Sequence, residues 1–212
     1  YHLEMDIPFC ALYLEGEKRT GLRVLRAEKN RFGSTEEGGI WQLTSKGYQT
    51  VDDPGKLFAS LVTEDIPGRA LTITLEGSRA FIVEVQALVT KTVFGYPKRT
   101  AQGIDPNRLT VLLAVLESRI NLPFSQHDVY INVVGGLSVR EPGIDLAIAA
   151  AAISNLTKKP IRKKLVLVGE IGLLGEIRPP SEHTKRAKEA KRLGYEVNSG
   201  IHSLKSLSQL FD

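Results

Sequence analysis

The stretch Glu141-Pro142-Gly143-Ile144-Asp145-Leu146-Ala147-Ile148-Ala149-Ala150-Ala151-Ala152-Ile153-Ser154-Asn155 decides the fold. From Gly143 to Asn155 it reads as a very apolar, alanine-rich helix. A helix apolar on every side must be buried, and alanine lets its neighbours pack close. One charge, Asp145, stands at its start and needs a partner, such as an arginine of this chain or of another copy. Val129–Val134 before it and Leu165–Gly169 after it read as apolar strands. Further out, Ala70–Leu75 and Ala80–Leu88 are strands joined by the turn Glu76-Gly77-Ser78-Arg79. Asn107–Arg119 carries Leu109, Leu112, Leu113 and Leu116 at helical spacing. Glu182–Leu193 reads as a helix with five basic residues, capped by Gly194. Gly95–Gly103 reads as a polar, basic loop. Asn198-Ser199-Gly200 interrupts what should be a final buried strand, as though loop residues were absent. Strands alternating with helices give an α/β (α+β) domain.

Residues 1–63 have a different texture. Ala11–Glu15, Leu22–Glu28, Gly38–Leu43 and Gly47–Val51 read as short strands and Gly16–Thr20 as a turn. This antiparallel set is too small to stand alone and reads as the edge of a larger sheet. A chain opening at Tyr1, with no initiator Met, reads as a piece of a longer one. Val51-Asp52-Asp53-Pro54-Gly55 breaks the pattern, Lys56–Leu61 is a helical turn or two, and Glu64–Gly68 is a linker. Two units follow, 1–63 and 64–212.

Composition narrows the function classes. The 212 residues are 42% hydrophobic, enough for one core or a core plus a fragment. No apolar run approaches the ~18 residues that span a bilayer, and no signal peptide opens the chain. One cysteine, Cys10, excludes an internal disulfide framework and a cysteine-built zinc site; its apolar neighbours predict a buried thiol. His2, His127, His183 and His202 lack partners at ligand spacing, so no metal is expected. A reducing cytoplasm fits. The net charge of +4 and pI near 9.1 permit nucleic acid without requiring it.

Three basic clusters stand out. Lys98 and Arg99 lie in the Gly95–Gly103 loop, with Arg108 at the following helix start, and few acids offset them. Lys158, Lys159, Arg162, Lys163 and Lys164 put five cations within seven residues, on what also reads as a plain polar turn. Lys185, Arg186, Lys188, Lys191 and Arg192 fit a solvated helix face. The first cluster is the preferred contact to phosphates. Asp105 reads as a helix-start acid and Trp41 as packing.

Lys29-Asn30-Arg31-Phe32-Gly33 ends a strand. Two cations two residues apart can face one phosphate, and spacing alone fits a solvated turn better. In the context Leu25–Glu36, this pentapeptide resembles the signature of the bacterial RadA (Sms) family of DNA-recombination ATPases. Glu84-Val85-Gln86-Ala87-Leu88-Val89, Gly95–Arg99, Gly103–Leu109, Val129–Gly136, Glu141–Ala147 and Val168–Arg178 match the same family. The resemblance implies the end of a RecA-like ATPase domain followed by a Lon-protease-like domain of the ribosomal protein S5 domain 2-like class. It further implies that Lys29 and Arg31 reach a nucleotide held by a neighbouring subunit, as arginine fingers do. ATP and Mg2+ are the implied cofactors of the full-length protein. No G-x-x-x-x-G-K-[ST] loop occurs here, so the chain alone should hold neither. A homohexameric ring, single-stranded and branched DNA, and the RecA recombinase are the implied partners.

Lon-type peptidases need a serine nucleophile and a lysine base. Their motif places these at Gly143 and Thr184, with Lys185 turned ~100° away on a helix. Ser138 and Ser181 lack a placed base. The resemblance therefore implies a ring scaffold and DNA surface without peptidase activity. The alternatives are a peptidase with a displaced dyad and a pure oligomerisation module.

Overall fold

The computed structural model describes residues 9–15, 21–33, 38–51, 66–76, 79–93, 95–135, 138–198 and 200–211. The expected turn at Lys56–Leu61 and the boundary after residue 63 lie outside the described residues. Strands β1 (Cys10–Glu15), β2 (Leu22–Asn30), β3 (Gly38–Thr44) and β4 (Gly47–Thr50) form a four-stranded antiparallel meander. In β3 the ring of Trp41 lies over Gly39, filling space that a glycine leaves open. Cys10 is exposed, against the buried thiol expected from its apolar neighbours. Apolar sequence neighbours do not bury a residue on the outer strand of a small sheet.

The second sheet has six strands in the order β12-β9-β5-β6-β8-β7. These are β5 (Arg69–Glu76), β6 (Arg79–Lys91), β7 (Arg99–Gln102), β8 (His127–Val133), β9 (Leu165–Val166) and β12 (Glu196–Val197). β5–β6 and β6–β8 pair antiparallel; β12–β9, β9–β5 and β8–β7 pair parallel. β10 (Glu170–Ile171) and β11 (Ile177–Arg178) make a separate small hairpin. The fold is thus mixed α/β.

Helices α1 (Pro106–Ile120) and α2 (Asp145–Thr157) cover one face of the sheet. α1 buries Leu109, Leu112, Leu113, Val115 and Leu116, and α2 is buried from Asp145 to Asn155. Against them lie Phe81, Val83, Val85 and Ala87 of β6. Alternation along β5 and β6 sends Leu71, Ile73 and Ile82 to the opposite face. There they meet Val166, Val168 and Ala190, the last on α3 (His183–Arg192). Gly194, at φ +82°, ends α3 as expected. Asp105 caps α1 by accepting from the Asn107 N–H at 2.9 Å.

Three expectations change in detail. The Gly143–Asn155 helix begins as a 3-10 turn, Pro142–Ile144, before α2 proper. Leu165–Gly169 is a strand only over two residues. Arg99–Gln102, read as loop, is an edge strand whose half-buried alternation carries no apolar signal. The polar interruption at Asn198 serves the sheet: its N–H donates to the Val166 carbonyl at 3.1 Å, and its Oδ1 accepts from the Val168 N–H at 2.7 Å. A side chain here does what a further strand residue would do.

Candidate nucleic-acid interface

Gly143, expected from the resemblance to stand at a peptidase's nucleophile position, is tightly packed. Gly143 is buried, and its backbone is fixed to Gly169: the Gly169 N–H donates to the Gly143 carbonyl at 2.9 Å. A Cβ on Gly143 would sit 2.9 Å from Cβ of Pro180 and 3.7 Å from a guanidinium nitrogen of Arg186. Thr184 is exposed on α3. Arg186, one of the cations assigned to a solvated helix face, is instead fully buried. It donates to the carbonyls of Ile73 at 2.6 Å and Ser181 at 3.0 Å, and it pairs in a fork with Glu141. Glu141 also accepts from the Leu75 N–H at 3.2 Å. This ion pair joins α3, β5 and the turn before α2. Ser138 and Ser181 are exposed, and the Ser181 carbonyl serves Arg186.

Asp145 finds its expected arginine within the chain. Arg108 donates from Nε to Oδ1 at 3.0 Å and from Nη2 to Oδ2, and Nη2 also reaches the Ile171 carbonyl at 2.8 Å. The Ile171 N–H donates to Asp145 at 3.1 Å. Burial pushes the Asp145 carboxyl above its usual range, opposed by the bonds from Arg108 and Ile171. The bond to Asp145 raises the Arg108 guanidinium further. The pair ties α1, α2 and β10 together beside a cleft of about 430 Å3 floored by Ile104, Ile144 and Ile148.

The preferred basic cluster is therefore largely committed inward. Besides Arg108, Arg99 turns its guanidinium onto the carbonyls of Phe124 at 2.7 Å and His127 at 2.5 Å. Burial lowers its pKa, partly offset by Asp128 and Glu117. Lys98 stays exposed. In the sequence these arginines look free because their partners lie 25 to 63 residues away.

The 158–164 cluster is presented outward. Lys158, Lys159, Arg162, Lys163 and Lys164 are all exposed, and no acid lies between them. Lys158 and Lys164 hold left-handed backbone, at φ +59° and +57°, which bends the segment into a tight surface turn. The turn is anchored at both ends. At the C-terminal end of α2 the Ser154 Oγ donates to the Lys159 carbonyl at 2.5 Å and the Lys159 N–H to the Ser154 carbonyl at 3.2 Å; further on, the Arg162 N–H donates to the Leu210 carbonyl at 3.0 Å and Ile161 bridges Phe211. A rigid turn holding five cations and no acid is a local positive field that a net charge of +4 does not reveal.

Lys29 and Arg31 stand where β2 ends. Lys29 is half-buried and pairs with Ala11; Arg31 is exposed, 5.5 Å over the Phe9 ring, with its N–H on the Phe9 carbonyl at 3.0 Å. Among the described residues no cluster of His, Cys, Asp and Glu could hold a metal ion. Among them, too, no helix is long and apolar enough to cross a membrane.

Comparison with known proteins places this framework. The family model described as subunit ChlI of Mg-chelatase matches residues 86–197, from β6 to β12. The chain is 44% identical over 184 residues to "DNA repair protein RadA" of Synechocystis sp., covering 87% of this chain and 36% of the relative. It is 45% identical to the Pseudomonas aeruginosa protein of that name and 44% to that of Helicobacter pylori, each over 87% of this chain and 41% of the relative. The chain thus spans about two fifths of the length of these relatives. It belongs to the RadA family along most of its length and, over residues 86–197, to the family described as subunit ChlI of Mg-chelatase.

Proposed function

We propose that the chain is the DNA-gripping part of a longer DNA-repair motor, with a Lon-like domain that serves as scaffold and not as peptidase. The observation that carries this reading is the anchored turn of Lys158, Lys159, Arg162, Lys163 and Lys164. Nucleic-acid backbones bind clustered cations through release of condensed counterions, so a rigid group of exposed lysines and arginines suits them. The names of the relatives supply DNA repair as the setting.

In this reading residues 1–63 end a RecA-like ATPase domain and residues 64–212 form the Lon-like domain. The whole protein would be a hexameric, DnaB-like, DNA-dependent ATPase of the cytoplasm acting in recombination and branch migration. Single-stranded and branched DNA would be its substrates and the RecA recombinase a protein partner. Lys29 and Arg31, at a strand end and partly open, would meet a nucleotide bound to the neighbouring copy. ATP and Mg2+ supply phosphoryl-transfer chemistry there, and this chain would contribute only the two cations. The Lys98 side chain joins the DNA surface from the far edge of the sheet, while Arg99 and Arg108 hold structure.

Peptidase activity is disfavoured by the glycine at 143 and by Pro180 and Arg186 around it. One experiment separates the readings. The purified chain should bind a labelled single-stranded oligonucleotide and leave fluorescent casein uncut. The variant Lys159→Glu/Arg162→Glu/Lys164→Glu should lose at least about tenfold in affinity. Casein cleavage abolished by Ser138→Ala or Ser181→Ala would support the displaced dyad; no binding at all would leave an assembly module.

A further inference from the structure

Among the described residues, the second face of the six-stranded sheet is only half covered. α3 packs on β5, β6 and β12, and its cover stops there. The part made by β6, β8 and β7 is left uncovered by the described residues and forms a cleft of about 630 Å3. Register fixes what it presents. Arg69, Gln86, Asn132 and Gln102 are paired in turn across β5, β6, β8 and β7, so they share one face. The neighbouring row is Leu88, Tyr130 and Thr100. Glu84 is buried behind them, closed off by Arg69 at 2.9 Å and by Gln86 at 2.7 Å. The face is therefore nearly neutral, and it is rich in amides. Among the described residues, Gln102, Asn132, Thr100 and Tyr130 make no side-chain hydrogen bond.

The charge lies at the rim. Ile66 and Arg69 line both this cleft and the smaller hollow formed by Pro160, Arg162, Lys163 and Lys164. Asn155, also in the cleft wall, accepts from the Lys158 ammonium at 3.3 Å. The basic turn is thus one border of the open sheet face. An occupant must combine a polyanionic edge with flat, hydrogen-bonding groups. Unstacked bases on a phosphate strand meet both demands: amides offer paired donor and acceptor to base edges, and an aromatic ring stacks on base faces.

From this juxtaposition we infer that the β6–β8–β7 face is a base-contact platform for single-stranded DNA. Tyr130 stacks, Gln102 and Asn132 meet base edges, and the 158–164 turn holds the phosphates. The inference rests on the DNA-binding reading above and adds that bases, not only phosphates, are contacted.

The test uses the purified chain, a mixed-sequence single strand and an abasic strand of the same length. Wild type should prefer the base-bearing strand by about tenfold. Tyr130→Leu, and separately the exposed Gln102→Ala, should erase most of that preference and leave abasic affinity and its salt dependence unchanged. Lys159→Glu/Arg162→Glu should weaken both strands alike. Equal wild-type affinity for the two strands, with a steep salt dependence, would overturn the base platform and leave phosphate binding standing. Failure to bind either strand would overturn both. Because Gln102 is exposed on an edge strand, its variant keeps the test independent of any folding defect from Tyr130→Leu.

Discussion

Gly143 weighs most against hydrolysis. At Gly143 the next heavy atom beyond a new Cβ is already at 2.9 Å, and Pro180 cannot swing away as a flexible side chain would. Gly143→Ser should therefore destabilise the chain by about 1–3 kcal/mol. Combining it with Thr184→Lys should give no casein cleavage; unfolding midpoints and a digestion assay read both outcomes. Asp145 offers a second test. It is fully buried and bonded to Arg108, so Asp145→Ala should cost about 3 kcal/mol in denaturant unfolding. Its pH behaviour has a defined sign. Burial raises the carboxyl's folded pKa, so the folded chain holds that proton more tightly than the unfolded chain. The associated stability is complete below the unfolded aspartate value of ~3.9 and is lost as pH rises through the raised value. Wild type should lose ground to Asp145→Asn across that window and run parallel to it above.

At the scale of elements, α3 shows how a helix can mislead. Its sequence, His-Thr-Lys-Arg-Ala-Lys-Glu-Ala-Lys-Arg, looks polar on every side, yet Arg186 and Ala190 are buried. Arg186→Ala should cost about 3 kcal/mol or more, because Glu141 is left without its partner. Lys188→Ala and Lys191→Ala should stay within about 0.5 kcal/mol. Thermal unfolding of the three variants would check this ordering. Periodicity made α1 and α2 readable, since Leu109, Leu112, Leu113 and Leu116 repeat at helical spacing and the alanines of α2 admit no other packing. β7 was not readable, because Arg-Thr-Ala-Gln is polar and only its pairing with β8 makes it a strand. The same limit applied to the site. Five cations in seven residues could be counted, but whether Arg99 and Arg108 faced solvent depended on carbonyls and a carboxylate distant in sequence. The open sheet face was hidden for a related reason: its residues come from three strands and share a surface only through register.

For the whole molecule, a packed α/β framework presents two features at its surface: a basic turn and the sheet face beside it. The role proposed for this domain is to grip a polyanion, and electrostatic gripping has a quantitative signature. For single strands, log affinity falls against log salt with a slope of about −0.7 per phosphate contact. The most direct test is that slope for the purified chain, measured with a single-stranded oligonucleotide on wild type and on Lys159→Glu/Arg162→Glu/Lys164→Glu. Wild type should show a steep slope and the variant one shallower by about 2. Identical slopes for the two proteins, or wild-type affinity indifferent to salt, would contradict that role.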